Sequence, residues 1–175
     1  MTENLESGHI IHTLMAEHDR ILGFLKELGR TNQTIQNMVS SDKAKKESKE
    51  LLDIAKHLIE AESHHQREEE VLFPELEKRE ILGPPEMMRM EHKELRSKKK
   101  ELLKIVQNIN KTNFNVKRLN KVVNFIISTL EEHIYKENNI LYPMALEVIE
   151  EKDIWDKMKT ECDKIGYCCF TPQVK

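Results

Sequence analysis

The sequence predicts an all-α protein: an up-down-up-down four-helix bundle built from two tandem helical hairpins, followed by a short C-terminal helix and an irregular tail. Charged residues make up 34% of the 175 residues and aromatic residues only 5%, a balance typical of long helices that each bury one apolar stripe. Four long segments carry apolar residues at the three-and-four spacing of a helix. The length suits one domain with a sizeable core. We expect the bundle over residues 1–150 and the helix and tail, packed on it, over residues 151–175.

The first helix is expected over about residues 7–31 or somewhat further. His18 fills the gap in its stripe between Leu14 and Ile21, so this histidine should face the core. The other stripe positions are apolar: Ile11, Leu22, Leu25 and Leu28.

The second helix is expected over about residues 42–80, where cap-forming residues precede it. Its buried stripe passes through His57, His64 and Glu68. Pro74 has no N–H to donate to the carbonyl four residues before it. A kink or interruption is therefore expected just beyond the His-Glu pair.

Gly83-Pro84-Pro85 marks a stop followed by prolines suited to the first turn of the third helix. This helix carries His92 on its apolar side, and Lys99, near the same face, is expected to snorkel to solvent. Residues 108–115 are expected to form the next connection.

The fourth helix has the cleanest stripe, in which only His133 and Glu137 are polar. Its apolar members are Leu119, Val122, Val123, Ile126, Leu130, Leu141 and Met144. Pro143 should interrupt this helix as Pro74 interrupts the second. A short amphipathic segment over about residues 153–164 is expected to pack over the end of the bundle.

Two motifs occur twice. His64-x3-Glu68 is followed by Leu-Phe-Pro and His133-x3-Glu137 by Leu-Tyr-Pro, and each copy follows a Glu-His pair, Glu17-His18 or Glu91-His92, at a similar interval. A His and a Glu four residues apart share one helix face and can reach one ion. The chain therefore looks like two similar hairpins, and two hairpins make a bundle with approximate twofold symmetry. Tyr142 matches Phe73 in this repeat and is expected to serve in packing.

Six side chains are predicted to converge at the bundle centre and to bind metal: His18, His64, Glu68, His92, His133 and Glu137. Burying them without compensation would cost on the order of several kcal/mol per charge. The alternative is a set of buried Glu-His hydrogen-bonded pairs without an ion. That alternative does not explain why the first and third helices each contribute one His while the second and fourth each contribute a His and a Glu. Imidazole and carboxylate without thiolate suit iron, manganese or zinc, and two carboxylates able to bridge imply two ions.

Over roughly residues 9–150 these motifs resemble the hemerythrin-like, or HHE cation-binding, domains. The resemblance implies two iron ions, oxo- or hydroxo-bridged, for which manganese or zinc could substitute. It implies that His18 and His64 bind one ion, that His92 and His133 bind the other, and that Glu68 and Glu137 bridge them. Members of the family bind dioxygen, or act in responses to oxygen, nitric oxide and damaged iron centres.

The third helix departs from the oxygen carriers of that family, which have a second histidine one turn from the first. Met88 and Arg96 stand four residues before and after His92, so the fifth histidine is missing and dedicated oxygen transport is less expected.

Three further residues near the predicted site leave alternatives open. His57 lies two turns before His64 and is expected in the core or behind the ligands, with replacement of the missing fifth histidine as the alternative. His65 and Glu69 form a rival ligand pair in the adjacent register. Alignment of Pro74 with Pro143 favours His64 and Glu68 over this rival pair. An additional terminal ligand from His65 or Glu69 is the alternative.

The main functional expectation is a non-haem di-iron domain that binds or responds to dioxygen or nitric oxide, in sensing, buffering or stress response. The alternative is a di-iron enzyme that reduces peroxide or nitric oxide or repairs damaged iron centres; metal storage is a weaker third possibility. The sequence shows no acid-base or nucleophile constellation apart from the metal site and no Gly-rich phosphate loop, so no separate catalytic residues are assigned.

Composition and cysteine content indicate the setting. The net charge of -3 is mixed along the chain, which argues against nucleic acid or an anionic membrane as partner. Without an apolar run long enough to span a bilayer, the protein is expected to be cytoplasmic; a fused or partner signalling domain stays open. Cys162, Cys168 and Cys169 form no disulfide framework. The vicinal pair is expected to be reduced and to pack the tail, with redox activity or soft-metal binding as the alternative.

Overall fold

The structure is a computed structural model that describes residues 5–6, 8–37, 44–109 and 114–172. Four long helical rods form an up-down-up-down bundle, and each rod contacts its two neighbours. In chain order the elements are α1 (Ile10–Gln36), α2 (Ala44–Glu60), α3 (Glu62–Arg67), the π-helical turn π1 (Glu68–Leu72), α4 (Phe73–Glu77), α5 (Gly83–Gln107), α6 (Val116–Lys136), the π-helical turn π2 (Glu137–Leu141), α7 (Tyr142–Val148) and α8 (Lys152–Ile165). The segments α2 to α4 make the second rod, and α6 to α7 make the fourth.

The helix ends follow local capping chemistry. α1 starts after His9, whose Nδ1 accepts a hydrogen bond from the Ile11 N–H at 3.2 Å. α5 begins at Gly83 with proline in its first turn, as predicted. α6 begins after Asn115, whose side chain accepts from the Arg118 N–H at 3.0 Å. The expected start of the second helix at residue 42 lies outside the described residues.

Both prolines follow a widened turn, which confirms the interruption expected just beyond each His-Glu pair. The interruption lies before each proline and begins on the glutamate itself, at Glu68 and at Glu137. The Phe73 N–H bonds to the Glu68 carbonyl and the Tyr142 N–H to the Glu137 carbonyl, five residues back instead of four. Proline cannot make the regular bond, so the turn ahead of it is free to widen.

The interior is divided into two apolar clusters with a polar layer between them. One cluster fills the end of the bundle where α1 finishes and includes Leu28, Leu58, Leu102 and Ile126. The other fills the opposite end and includes Leu14, Leu72, Phe73, Leu141 and Tyr142. The buried polar residues lie between these clusters along each rod, which shields them from solvent on both sides.

α8 covers one side of the bundle. Its first turn lies at the end of the bundle, where the Trp155 ring stands 4.5 Å from that of His9, and the helix also contacts α1, α3 and π1. Met158 and Cys162 are its buried positions. The predicted C-terminal helix is therefore present and reaches the level of the polar layer; the boundary at residue 150 stays a prediction.

The position of the Lys99 side chain contradicts the expectation for this residue. Its side chain was expected to snorkel, yet Lys99 is only 3% exposed. Burial lowers the pKa of this lysine from its ordinary 10.5 to about 8. The stripe of α5 places its stem within the bundle, and a lysine side chain is too short there to carry its amine to solvent.

No helix among the described residues is long and apolar enough to cross a membrane.

Candidate metal centre

The structure brings the six predicted side chains together in the polar layer. All are at most 1% exposed, and each rod contributes what the sequence predicted: His18 from α1, His64 and Glu68 from the second rod, His92 from α5, and His133 and Glu137 from the fourth rod. Their role as metal ligands stays a prediction, but their convergence is a property of the fold.

The four histidines form two pairs. The Nε2 atoms of His18 and His64 lie 3.0 Å apart, and those of His92 and His133 lie 2.9 Å apart. Each pair joins one histidine from a Glu-His motif to one from a His-x3-Glu motif of the same half. These are the two pairs that the family resemblance implied.

The two glutamates lie between the pairs. Glu137 reaches the first pair through Oε2, 3.1 Å from His18 Nε2, and the second through Oε1, 2.9 Å from His133 Nε2. Glu68 Oε2 lies 3.5 Å from the Nε2 atoms of both His64 and His92. Each carboxylate therefore contacts both pairs, which is the position of a bridging ligand.

Hydrogen bonds from the Nδ1 atoms of the rings determine that the Nε2 atoms face the centre. The Nδ1 atoms of His64 and His133 lie 2.7 Å from carboxylate oxygens of Glu17 and Glu91, respectively. Carboxylate acceptors require Nδ1 to carry the hydrogen, so Nε2 is left with a lone pair directed at the centre.

The same arrangement holds for the histidines of the Glu-His motifs. His92 Nδ1 lies 2.7 Å from Glu69 Oε1, and His18 Nδ1 lies 2.8 Å from Asn138 Oδ1. All four rings thus direct Nε2 lone pairs into one small volume. Two lone pairs about 3 Å apart repel one another unless a proton or a cation lies between them.

The carboxylate oxygens give a second indication of a cation. Within the described part of the chain, Glu68 Oε2 and both oxygens of Glu137 are buried without a hydrogen-bond partner. Buried unpaired carboxylate oxygens are costly, and a cation held by the surrounding nitrogens would compensate them. Nitrogen and oxygen donors without sulfur suit iron, manganese or zinc. The donor set therefore fits a metal centre.

The two central glutamates differ in the direction of their pKa shifts. Burial, followed by the neighbouring Glu137, raises the pKa of Glu68 well above its ordinary range. Burial opposes ionisation of Glu137 as well, but His133, His18 and His92 outweigh it and hold its pKa well below normal. One carboxylate thus favours the protonated form and the other the ionised form.

The two histidine pairs also differ in pKa. Burial lowers the pKa of His64 to about 4. Burial opposes protonation of His133 too, yet Glu137 and Glu91 raise its pKa to about 9. His133 thus favours the protonated form, and a cation bound at its Nε2 would replace that proton.

Several residues of the centre were missed or only half predicted from the sequence. Tyr142, expected to serve in packing, stacks on His18 and also donates its hydroxyl hydrogen to Glu68 Oε1 at 2.7 Å. Glu17 and Glu91 were noted as motif residues without a role, although their repetition beside each histidine was the available signal. No sequence signal pointed to Asn138 as the partner of His18.

The rival candidates take other positions. Glu69 holds His92 from outside, whereas His65 is buried and stacks face to face on His92 with ring centroids 4.0 Å apart. The two are therefore not arranged as a second ligand pair. Whether His65 adds a terminal ligand stays open, since one of its nitrogens lies near nitrogens of His92 and His133.

His57 does not join the centre, because its ring nitrogen Nδ1 has Glu60 at 3.2 Å and Cys169 at 3.6 Å as neighbours. The turn at Ala61 separates α2 from α3, and the sequence separation of seven residues between His57 and His64 places them about 10 Å apart along the rod. On α5, Met88 is buried in the core and Arg96 pairs with Glu62 and Glu69. Neither residue supplies the missing fifth histidine.

Comparison with known proteins places this centre in a family. The hemerythrin HHE cation binding domain model matches residues 9–145. The iron-sulfur cluster repair protein YtfE of Enterobacter sp. (strain 638) is 32% identical over 79% of this chain and 66% of its own length. The YtfE protein of Salmonella typhimurium is 34% identical over 50% of this chain and 42% of its own length.

The chain thus spans between about two fifths and two thirds of the length of these relatives. The matched region contains all four rods and all six converging side chains. The chain belongs to the hemerythrin HHE cation-binding domain family.

Proposed function

We propose that this protein is a non-haem di-iron protein that acts in the repair of damaged iron-sulfur clusters. The observation that carries the proposal is the pair of buried carboxylates whose unpaired oxygens face two histidine pairs. Two nearby cation positions, each with two imidazoles and two shared carboxylates, satisfy these atoms. The repair role is supported by the relatives named iron-sulfur cluster repair proteins.

In this proposal His18 and His64 hold one iron, His92 and His133 hold the other, and Glu68 and Glu137 bridge them. Manganese or zinc would suit the same donors. Bound iron would supply redox chemistry and a source of iron for a damaged cluster. Glu17, Glu69, Glu91 and Asn138 keep the four Nδ1 hydrogens outside, so that every Nε2 faces inward.

Two other features serve the proposed centre. The apolar clusters above and below it exclude water, which strengthens every electrostatic contact inside. The Tyr142 hydroxyl donates a hydrogen bond to Glu68. It is the only hydroxyl that the described part of the chain places in hydrogen-bond contact with one of the two bridging carboxylates.

We also propose a cytoplasmic location, since the three free cysteines agree with a reducing compartment.

The first test is metal content together with repair. Protein purified without oxygen should hold about two irons per chain, and His133→Ala should lose most of them because one imidazole of a pair is gone. The iron-loaded protein should then reactivate an iron-sulfur enzyme that peroxide or nitric oxide has damaged, and the His133→Ala protein should not. Full iron occupancy in His133→Ala would remove this residue from the site. Full occupancy in the unaltered chain without any reactivation would reject the repair role while leaving the centre intact.

A second candidate function is binding of dioxygen or nitric oxide, for sensing or buffering. Tyr142 favours it, because its buried hydroxyl lies 3.4 Å from His18 Nε2, and its single hydrogen, donated to Glu68 at 2.7 Å, would turn to a small ligand bound there. Spectra recorded on adding dioxygen, peroxide and nitric oxide in turn to the reduced protein distinguish the two. A reversible change with one gas, without reactivation of damaged clusters, would favour the gas-binding role.

A further inference from the structure

A second group of metal-binding side chains lies outside the central layer, where the C-terminal tail meets α2. His57 and Glu60 occupy the last turn of α2, and Cys169 comes from the tail that follows α8. Cys169 Sγ lies 3.0 Å from Glu60 Oε2 and 3.6 Å from His57 Nδ1, and these two α2 atoms lie 3.2 Å apart. Three different donor types therefore converge from two separate segments.

The spacing of these donors suits a tetrahedral cation. Zinc bonds to sulfur at roughly 2.3 Å and to nitrogen or oxygen at roughly 2.0–2.1 Å, so tetrahedral donors stand about 3.3–3.6 Å from one another. The His57–Cys169 separation of 3.6 Å already lies in that range, and the His57–Glu60 separation of 3.2 Å lies just below it. Only the Cys169–Glu60 separation must widen, by about half an ångström, because the thiol hydrogen now bonds directly to the carboxylate.

Packing holds the histidine ring and the cysteine in position. The His57 ring stacks on Phe24 at 4.9 Å with an interplanar angle of 9°. Phe170, next to Cys169, sets its edge against Phe24 at 5.2 Å and lies edge-on to His57 at 6.4 Å. The three rings fix the side-chain positions of two of the donors without help from any ion.

The backbone also directs the tail toward α2. α8 ends at Ile165, and the φ of 91° at the following Gly166 lies in the region that side-chain-bearing residues rarely adopt. This turn lets the chain leave the helix axis and continue along the second rod, where Cys168 Sγ lies 3.2 Å from Ser63 Oγ. A residue with a side chain at position 166 would strain the turn that delivers Cys169.

We propose that His57 Nδ1, Glu60 and the Cys169 thiolate form a second metal site, for zinc or a similar thiophilic divalent cation, with solvent as the fourth ligand. Thiolate and imidazole select such a cation over magnesium or calcium. Glu60 and Cys169 are exposed, so the cation has direct access from solvent and the fourth position is open.

Binding at this site requires loss of the thiol hydrogen. The hydrogen bond to Glu60, followed by burial, raises the pKa of the Cys169 thiol to about 11. The metal–sulfur bond replaces the S–H bond, and the hydrogen leaves to solvent as a proton. Affinity should therefore increase with pH, and no oxidant or reductant takes part.

The site also links the tail to the di-iron proposal without depending on it. Thr171, two residues beyond Cys169, donates a hydrogen bond to Glu17, and Glu17 holds His64 from outside. A cation that ties the tail to α2 would therefore fix one outer partner of the central layer. The site itself would persist in a chain whose central ligands had been removed.

Cobalt(II) is a suitable probe, because a cobalt–thiolate bond gives a charge-transfer band that nitrogen and oxygen ligands cannot produce. The full chain, with iron already loaded, should show this band at about one equivalent of added cobalt, and added zinc should abolish it. Cys169→Ser should remove the band, whereas Cys162→Ser, which alters a buried cysteine of α8, should leave it unchanged.

His57→Phe is the matched control for packing, because it keeps an aromatic ring between Phe24 and Phe170 but removes the nitrogen donor. It should weaken cobalt binding at this site by at least about tenfold, since even outer-partner substitutions weaken metal sites by about 10–100-fold. A second readout is alkylation of the exposed Cys169, which zinc should slow in the unaltered chain and not in His57→Phe.

The outcomes are decisive in both directions. A thiolate band that disappears in both Cys169→Ser and His57→Phe establishes the site. A band that survives His57→Phe at full strength shows a thiol that binds cobalt by itself and overturns the proposal, as does the absence of any band. Because both variants leave the six central residues in place, their iron content stays a separate measurement of the proposed function.

Discussion

The two hairpins of the bundle build nearly the same half-site from the same parts. In the first, Glu17 holds His64 and also pairs with Arg67, the residue before Glu68. In the second, Glu91 holds His133 and pairs with Lys136, the residue before Glu137. Each glutamate of a Glu-His motif thus orients the histidine of the His-x3-Glu motif in its own hairpin. It also pairs with the basic side chain that directly precedes the proposed bridging glutamate.

The contacts that cross between the hairpins follow the same symmetry. The aromatic residue before each proline stacks on the motif histidine of the other hairpin, Tyr142 on His18 and Phe73 on His92. The residue after each of the two central glutamates, Glu68 and Glu137, accepts a hydrogen bond from the same histidine: Asn138 from His18 and Glu69 from His92. Neither half-site is complete without the other, so the centre depends on correct docking of the hairpins.

The differences show where the two proposed cation positions become unequal. The second position has a carboxylate behind His92, whereas the first has a neutral amide behind His18. Tyr142 supplies a hydroxyl to Glu68, whereas Phe73 has none to offer Glu137. The repeat therefore provides the scaffold, and a few unmatched positions set how each half holds charge.

The largest effect should come from breaking one histidine pair. His64→Ala should reduce metal affinity by at least about 100-fold, because loss of a direct ligand exceeds the 10–100-fold effect of an outer partner. His65→Phe, at the adjacent position, should keep the stack on His92 and bind metal normally. Metal content after purification, with circular dichroism to confirm folding, measures both. Metal loss in His65→Phe instead would make His65 the additional terminal ligand.

The next effect concerns the unequal outer partners. Glu69→Gln should weaken metal binding by about 10–100-fold, because an amide favours the inward lone pair of His92 less than a carboxylate does. Asn138→Asp should have the opposite sign, since it gives His18 the carboxylate that His92 already has. Competition with a chelator measures the affinities. Equal affinities in all three proteins would show that the outer partners only position the rings.

Lys99 offers a test in which metal plays no part. It corresponds in the repeat to Leu25, which is 1% exposed, so the second hairpin buries an amine where the first buries a methyl group. The lowered pKa, about 8 against 10.5, means that burial of the charged form costs on the order of 3 kcal/mol near neutral pH. Lys99→Leu should therefore raise the free energy of unfolding by about 1–3 kcal/mol.

The sign of the pH dependence distinguishes this explanation from better packing alone. The unfolded lysine binds its proton more tightly than the folded one, so the cost is largest below about pH 8 and disappears as the pH rises through 10.5. The advantage of Lys99→Leu, measured by denaturant unfolding, should shrink between neutral pH and pH 10. A constant advantage would assign the gain to packing. Lys98→Leu, at a half-exposed position paired with Glu101, is the matched control.

The smallest expected effect comes from making the two aromatic residues identical. Tyr142→Phe should keep the stack on His18 and leave metal affinity within about tenfold, because the hydroxyl contacts a bridging glutamate and not an expected metal position. The absorption spectrum of the iron-loaded protein should shift, since Glu68 loses a hydrogen bond. An unchanged spectrum would mean that this hydrogen bond is absent in the loaded protein.

The repeat in the sequence was sufficient to predict the fold and to bring the six central residues together. Two copies of one motif determine which faces meet, and helical spacing determines which residues share a face. The spacing failed at His57, because residues that share a helix face can lie at different levels, and His57 stands about 10 Å along the rod from His64. It failed at Lys99, because a long charged side chain usually reaches solvent and no local pattern shows when it cannot. Asn138 could not be predicted, since its contact joins helices far apart in the chain.

The widened turns explain why the aromatic residues reach the centre at all. In a regular helix the fifth residue after a glutamate points roughly 140° away from it. With the Phe73 and Tyr142 N–H groups bonded five residues back, one loop of backbone closes over those five residues, and each ring returns to the face of its glutamate. Both halves contain this widened turn at the same place in the repeat. Deleting a single residue there would restore regular helical bonding and swing the ring out of the interior.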